Sequence, residues 1–218
     1  MSQVTLRLLR FTYKKLKENL TVSDSKELFH KQFPYVIPSL YKRVVDEMLV
    51  ELNLLNQQNS FFQENYFCVG LSESFNELVD GYEPKEQIQL LFNALCSSTK
   101  FDPQVIRETS AKTLKDHKEK SLQESIKLIQ AQIKSEIYYS RILVLGIYKV
   151  ISLASESLDK KDEEDIKLFT EAIGKLNLSE TRAEKDISLY RSSLKRFEQA
   201  KALLNETISS ERKKRKVK

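Results

Sequence analysis

Glycine and proline are scarce: the 218-residue chain holds four of each. An all-β fold turns at intervals of about ten residues and leans on these two residue types to do it. So thin a supply excludes that class and leaves helices. The four glycines, Gly70, Gly81, Gly146 and Gly174, stand too far apart for a phosphate loop of the GxxxxGK or GxGxxG kind. No GxSxG elbow exists to present a nucleophilic serine. Cysteine is limited to Cys68 and Cys96, each inside an apolar stretch (NYFCVG and NALCSS) and far from any CxxC spacing. Two buried, reduced thiols are expected, not a disulfide framework. HExxH is missing as well, which removes the usual zinc sites. The two histidines, His30 and His117, sit in polar company and read as solvated surface imidazoles. Carboxylates are plentiful, but on charged helix faces their abundance defines no acid–base pair. No catalytic, cofactor-binding or metal-ligating residue is expected. The class that follows is a protein that binds other proteins and is not an enzyme.

Long hydrophobic runs are lacking too. The best candidate, residues 137–154 (IYYSRILVLGIYKVISLA), is interrupted by Arg141 and Lys149. A bilayer span needs about 20 apolar residues. The stretch therefore reads as the central helix of a bundle, apolar on most sides. No secretory signal is visible at the start.

What the chain does have is helical period. Asp24 and Glu27 make a capping-box pattern for a first short helix that ends before Pro34. Pro38, as a first-turn proline, opens a helix whose stripe is Leu40, Val44, Met48, Leu52 and Leu55. A second apolar segment runs over residues 61–79 and stops at Gly81; residues 84–96 read as the next helix. Asp102 followed by Pro103 predicts an N-cap and another helix from Gln104. From Leu122 the steps Ile126, Ile129, Ile133 and Ile137 lead into the central stretch. A turn at residues 159–162 precedes a helix that begins DEED, acids suited to a positive helix end, and residues 177–179 form the last break. Thr181 and Glu184 offer a further capping box. After it Ile187, Tyr190, Leu194, Phe197, Lys201, Leu204 and Ile208 step alternately three and four, an a/d heptad seam with one lysine in register. The seam either packs back on the bundle or waits for a partner.

The expected organisation is all-α: a basic leader over residues 1–20, disordered or amphipathic; a compact multi-helix bundle over 21–178; a long coiled-coil-like C-terminal helix over 179–210; and a basic disordered tail over 211–218. Charge follows the same division. The formal net charge is +5, and the tail ERKKRKVK alone carries that excess through Arg212, Lys213, Lys214, Arg215, Lys216 and Lys218. The first seventeen residues hold five bases and no acid, and residues 18–210 hold 25 bases against 30 acids. An acidic body with two basic ends reads as a body with electrostatic tethers for an anionic surface. The alternative is a nucleic-acid-associated helical protein that uses its basic tail. The acidic body opposes that alternative, because a dedicated nucleic-acid binder spreads its bases over one face.

Five segments carry a family resemblance: VSDSKELFHKQFP (22–34), SLYKRVVDEMLVELNLL (39–55), FNELVDGY (75–82), IQLLFNALC (88–96) and FDPQVIR (101–107). In this order and spacing they resemble the thylakoid formation family, also called the photosystem II biogenesis protein of twenty-nine kilodaltons. The likeness is close over the first half and one of character over the second. It implies a role in assembling and maintaining photosystem II, as a partner of a membrane-bound FtsH-type protease or of assembly intermediates. It attaches no cofactor and no catalytic residue. The short Lys-rich leader in place of a long Ser-rich plastid one implies a cyanobacterial protein at the cytoplasmic face of the thylakoid membrane or in the cytoplasm. On this reading the seam Ile187, Tyr190, Leu194, Phe197, Leu204 and Ile208 is the candidate partner surface.

Overall fold

The structure, a computed structural model, describes residues 20–133, 137–155 and 162–216. The leader through residue 19 and the turn at 159–161 lie outside them. Among the described residues all regular structure is helix: α1 (Val22–Gln32), α2 (Ser39–Gln57), α3 (Asn65–Leu78), α4 (Glu86–Ser98), α5 (Pro103–Lys118), α6 (Leu122–Gln132), α7 (Arg141–Ser155), α8 (Asp162–Lys175) and α9 (Glu180–Lys216).

Local chemistry sets most of the boundaries. Thr21, in extended backbone, accepts from the Asp24 amide, and the Asp24 carboxylate accepts from Thr21 N–H at 2.8 Å. The capping box is thus Thr21/Asp24, one helical turn before the expected Asp24/Glu27. Glu27 instead pairs with Lys31 on the surface at 2.6 Å. Asp102 caps α5 as its sequence predicts, with Oδ1 accepting from the Gln104 and Val105 amides. Gly81, at φ +78°, turns the chain after α3 through backbone that other residues rarely adopt. Helix α2 starts at Ser39 with Pro38 as its cap, and its buried face is Tyr41, Val45, Met48, Leu49, Leu52 and Leu55. Leu40 and Val44 are only half-buried, because the inner face is rotated by one residue from the expected stripe.

The core forms around α3 and α7. Tyr66 to Leu71 are buried without a break, as are Ile142 to Ile147. Where the two helices cross, Gly70 faces Gly146. A Cβ on Gly70 would stand 1.8 Å from the Ile142 carbonyl oxygen, and one on Gly146 would stand 1.7 Å from that of Tyr66. The two glycines let backbone rest on backbone, which brings the flanking side chains into close packing around the crossing.

Three expectations change. The isoleucine stripe does not run unbroken into the central helix: α6 stops at Gln132, and α7 begins only at Arg141, with Ser140 Oγ accepting from the Leu143 amide. The last helix starts at Glu180, which places Thr181 inside it and not at its cap. It also continues to Lys216 where a disordered tail was expected from residue 211. ERKKRK contains no breaker, and its residues are good helix formers.

Candidate functional site

Helix α9 is the longest element, and its first half lies on the bundle. Ile187, Tyr190 and Phe197 are buried and Leu194 is half-buried, so this part of the seam packs in cis. The Phe197 ring meets Tyr41 edge-on at 5.4 Å, and Tyr41 in turn meets Tyr82 at 5.0 Å. Polar clasps reinforce the stripe. Tyr190 donates to Glu77 Oε2 at 2.5 Å, while Lys149 pairs with the other Glu77 oxygen and lies 5.3 Å from the Tyr190 ring centre. Burial, helped by the Glu77 carboxylate, pushes the Tyr190 hydroxyl well above its ordinary pKa, so it stays a donor. Burial also raises Glu73, with Glu77 adding to it. Tyr139 donates to Asp186 at 2.7 Å beneath the Arg182 guanidinium. Lys201, the lysine in the seam register, reaches Asp80 at 2.6 Å and Glu198 at 2.9 Å, with its methylene stem against Gly81.

Beyond Lys201 the character changes. Leu203 is 64% exposed and Leu204 47%. The side chain of Ile208 lies outside the described residues, as do those of Arg212 to Lys216 and the whole of Lys218. The seam is therefore divided. Its proximal part is covered by the bundle; of its distal part Leu204 is exposed, and beside it Leu203, outside the seam register, is exposed as well. Helix α9 runs antiparallel to α2, and Phe197 rests on Tyr41 near the start of α2. Past that contact the helix continues from residue 202 to Lys216, an overhang whose described side chains (202–204, 206 and 207) are exposed.

The described chain meets the two ends of α2 at its own two ends. The Leu20 carbonyl accepts from Asn53 and Gln57 near the end of α2, while α9 passes the start of α2 at Phe197. Those two points are about 27 Å apart over this helix.

Elsewhere the structure corrects the reading of one histidine. His30 is exposed, but His117 is wholly buried in the last turn of α5. Its Nε2 lies 3.2 Å from the Tyr66 hydroxyl, which donates to Gln132 at 3.0 Å, while its Nδ1 has no hydrogen-bond partner. Burial lowers its pKa. Polar neighbours in sequence concealed this, because they lie on the opposite face of the helix. Cys68 and Cys96 are buried and free, and burial pushes their thiols up to about 11 and about 12. Between α3, α5 and α7 an open groove of about 820 Å³ is lined by three glutamates (Glu73, Glu77, Glu119) and three lysines (Lys115, Lys118, Lys149), so neither sign of charge dominates it. Among the described residues no cluster has the composition of a metal site, and no helix is long and apolar enough to cross a membrane.

The clasp Glu77–Lys149–Tyr190 escaped sequence reading. Lys149 was visible only as an interruption of an apolar run, when it is the cation that seats α9. Its signal was a lysine on the central helix together with Glu73 and Glu77, one turn apart and the only acids of α3.

Comparison with known proteins agrees with this architecture. The thylakoid formation protein model matches residues 21–218. Protein Thf1 of Prochlorococcus marinus subsp. pastoris is 55% identical over 201 residues, 92% of this chain and the whole of that one. Protein Thf1 of Synechococcus sp. (strain CC9605) is 39% identical over 89% of this chain and 92% of its own. A solved structure described as that of Psb29 superposes with a TM-score of 0.79 at 27% identity, covering 90% of this chain and 98% of that one. The chain belongs to the thylakoid formation protein family.

Proposed function

We propose that this chain is a non-enzymatic adaptor in thylakoid membrane biogenesis and photosystem II assembly and repair. It binds a membrane-bound FtsH-type protease or an assembly intermediate from the cytoplasmic face of the thylakoid. Family membership supports the setting, and the divided seam supports the means. Burial of Ile187, Tyr190 and Phe197 fixes the direction of α9, and the overhang then presents Leu203 and Leu204 clear of the bundle. An adjacent apolar pair on a stiff helix, already ordered before contact, is what the apolar groove of a partner reads.

The test is capture of solubilised thylakoid proteins by the tagged full-length chain, read by mass spectrometry. Protease or photosystem II subunits are expected with the native chain. The double variant Leu203→Glu with Leu204→Glu is expected to lose them at unchanged helical content, since both positions are exposed. Equal capture by the two proteins would overturn the placement of the interface on the overhang.

A further inference from the structure

The loop between α1 and α2 reads PYVIP, and it presents apolar side chains at its tip. Val36 is 92% exposed and Tyr35 48%, whereas Phe33 just before them is wholly buried and Ile37 just after packs against the core. The loop is secured on both sides. The Phe33 amide bonds to the Phe29 carbonyl, the Tyr35 ring leans edge-on against Phe33 at 5.2 Å, and Pro38 caps α2. Two prolines hold φ at Pro34 and Pro38, so the tip is held in shape without its apolar groups being covered. Loop tips are ordinarily polar; this one is not.

Its place in the fold gives it company. Phe197 packs on Tyr41, so α9 leaves the bundle at the end where this loop stands. Val36, Tyr35, Leu203 and Leu204 therefore share one end of the molecule with the basic C-terminus. Lys31, Lys42 and Arg43 flank the loop and are exposed. Of the acids at this end, Glu27 and Glu47 pair with Lys31 and Arg43, and Asp80 and Glu198 pair with Lys201. Glu83, Glu86 and Glu206 oppose the bases, and the +5 of ERKKRKVK outweighs them.

A convex tip of two side chains offers on the order of a few hundred Å² at most, against about 800 Å² per partner in a stable protein interface. Apolar atoms at a protruding tip, an aromatic residue with a polar end and surrounding bases suit a fluid anionic surface better. We propose that this end of the bundle contacts an anionic lipid surface. Tyr35 and Val36 enter the boundary between headgroups and acyl chains, and the C-terminal bases meet the lipid phosphates. Each base near such a surface strengthens partition about fivefold, which the tip alone does not supply. This contact is independent of which protein the overhang captures.

The chain has no tryptophan, so Val36→Trp is a single-site reporter in the full-length protein. The native chain is expected to sediment with phosphatidylcholine vesicles doped with phosphatidylglycerol, and to leave them in high salt or when the dopant is omitted. The indole emission of Val36→Trp is expected to shift to the blue on those vesicles and to be quenched by brominated acyl chains. Val105→Trp, exposed at the opposite end of the bundle, is expected to do neither. Val36→Asp is expected to weaken sedimentation about tenfold while protein capture is kept, which separates this contact from the adaptor reading. Failure to sediment, an unshifted Val36→Trp emission on vesicles that do sediment the chain, equal shifts at both reporters, or loss of protein capture with unchanged sedimentation in Val36→Asp would each overturn it; the last would make the tip a protein contact.

Discussion

Where α3 crosses α7, backbone meets backbone at Gly70 and Gly146. Where α9 lies on α2 and α3, side chains meet instead: rings, a phenol, and the ammonium groups of Lys149 and Lys201. At the crossing the first contact depends on shape, so it tolerates no added atom there. The second is laid down as separate fastenings, several of them at the surface, and its strength falls toward the end of α9. A bundle needs the first kind of contact to exist. A helix that presents itself to partners needs the second, because its far end must stay uncovered.

Gly146→Ala should separate the two regions most sharply. The new methyl falls on the Tyr66 carbonyl, so the helices must part, at a cost of about 4 kcal/mol. The urea midpoint of the whole bundle should drop, with α9 lost in the same transition. Phe197→Ala removes a buried ring from the seam and should cost about 3 kcal/mol locally. Hydrogen exchange should quicken along α9 around residue 197 and stay unchanged in α3 and α7. Slowed or uniform exchange would mean that the seam is not a separate unit.

Acid gives a smaller and differently placed effect. His117 is buried with a lowered pKa, so the unfolded chain takes up its proton first as pH falls. Its contribution is whole above the ordinary histidine value near 6.5 and is lost as pH drops below that toward the folded value. Stability should therefore decline as pH falls below about 6.5, and His117→Gln should flatten that slope. Exchange should rise first in α5 and α6, where His117, Tyr66 and Gln132 meet. Lys201→Ala should matter least. Its partner Asp80 is 70% exposed, and a pair so open to solvent and salt contributes about 0.5 kcal/mol. The loss should vanish in high salt, which would mark this fastening as the releasable one.

Much of this was legible in the residues. Asp102–Pro103 named its own helix start, Gly81 its own turn, and residues 141–155 their central place, because each depends on neighbours within a turn or on overall apolarity. The site was less so. The seam's period identified a stripe that must be covered without naming its cover, and the first capping box formed at Thr21/Asp24, one turn before the Asp24/Glu27 pattern. His117 was misjudged because polar residues adjacent in sequence point away from it on a helix.

The sequence by itself determined that this protein is all-helical, that its last helix carries an apolar seam, that its two ends are basic and its body acidic, and which family it resembles. Only the tertiary structure decided that the seam is covered at Ile187, Tyr190 and Phe197 and exposed at Leu204, that Glu77 and Lys149 seat Tyr190, and that Gly70 meets Gly146. The reason is one of range. Periodicity and capping arise within a few residues of each other, whereas burial of a given face is settled by segments a hundred residues away.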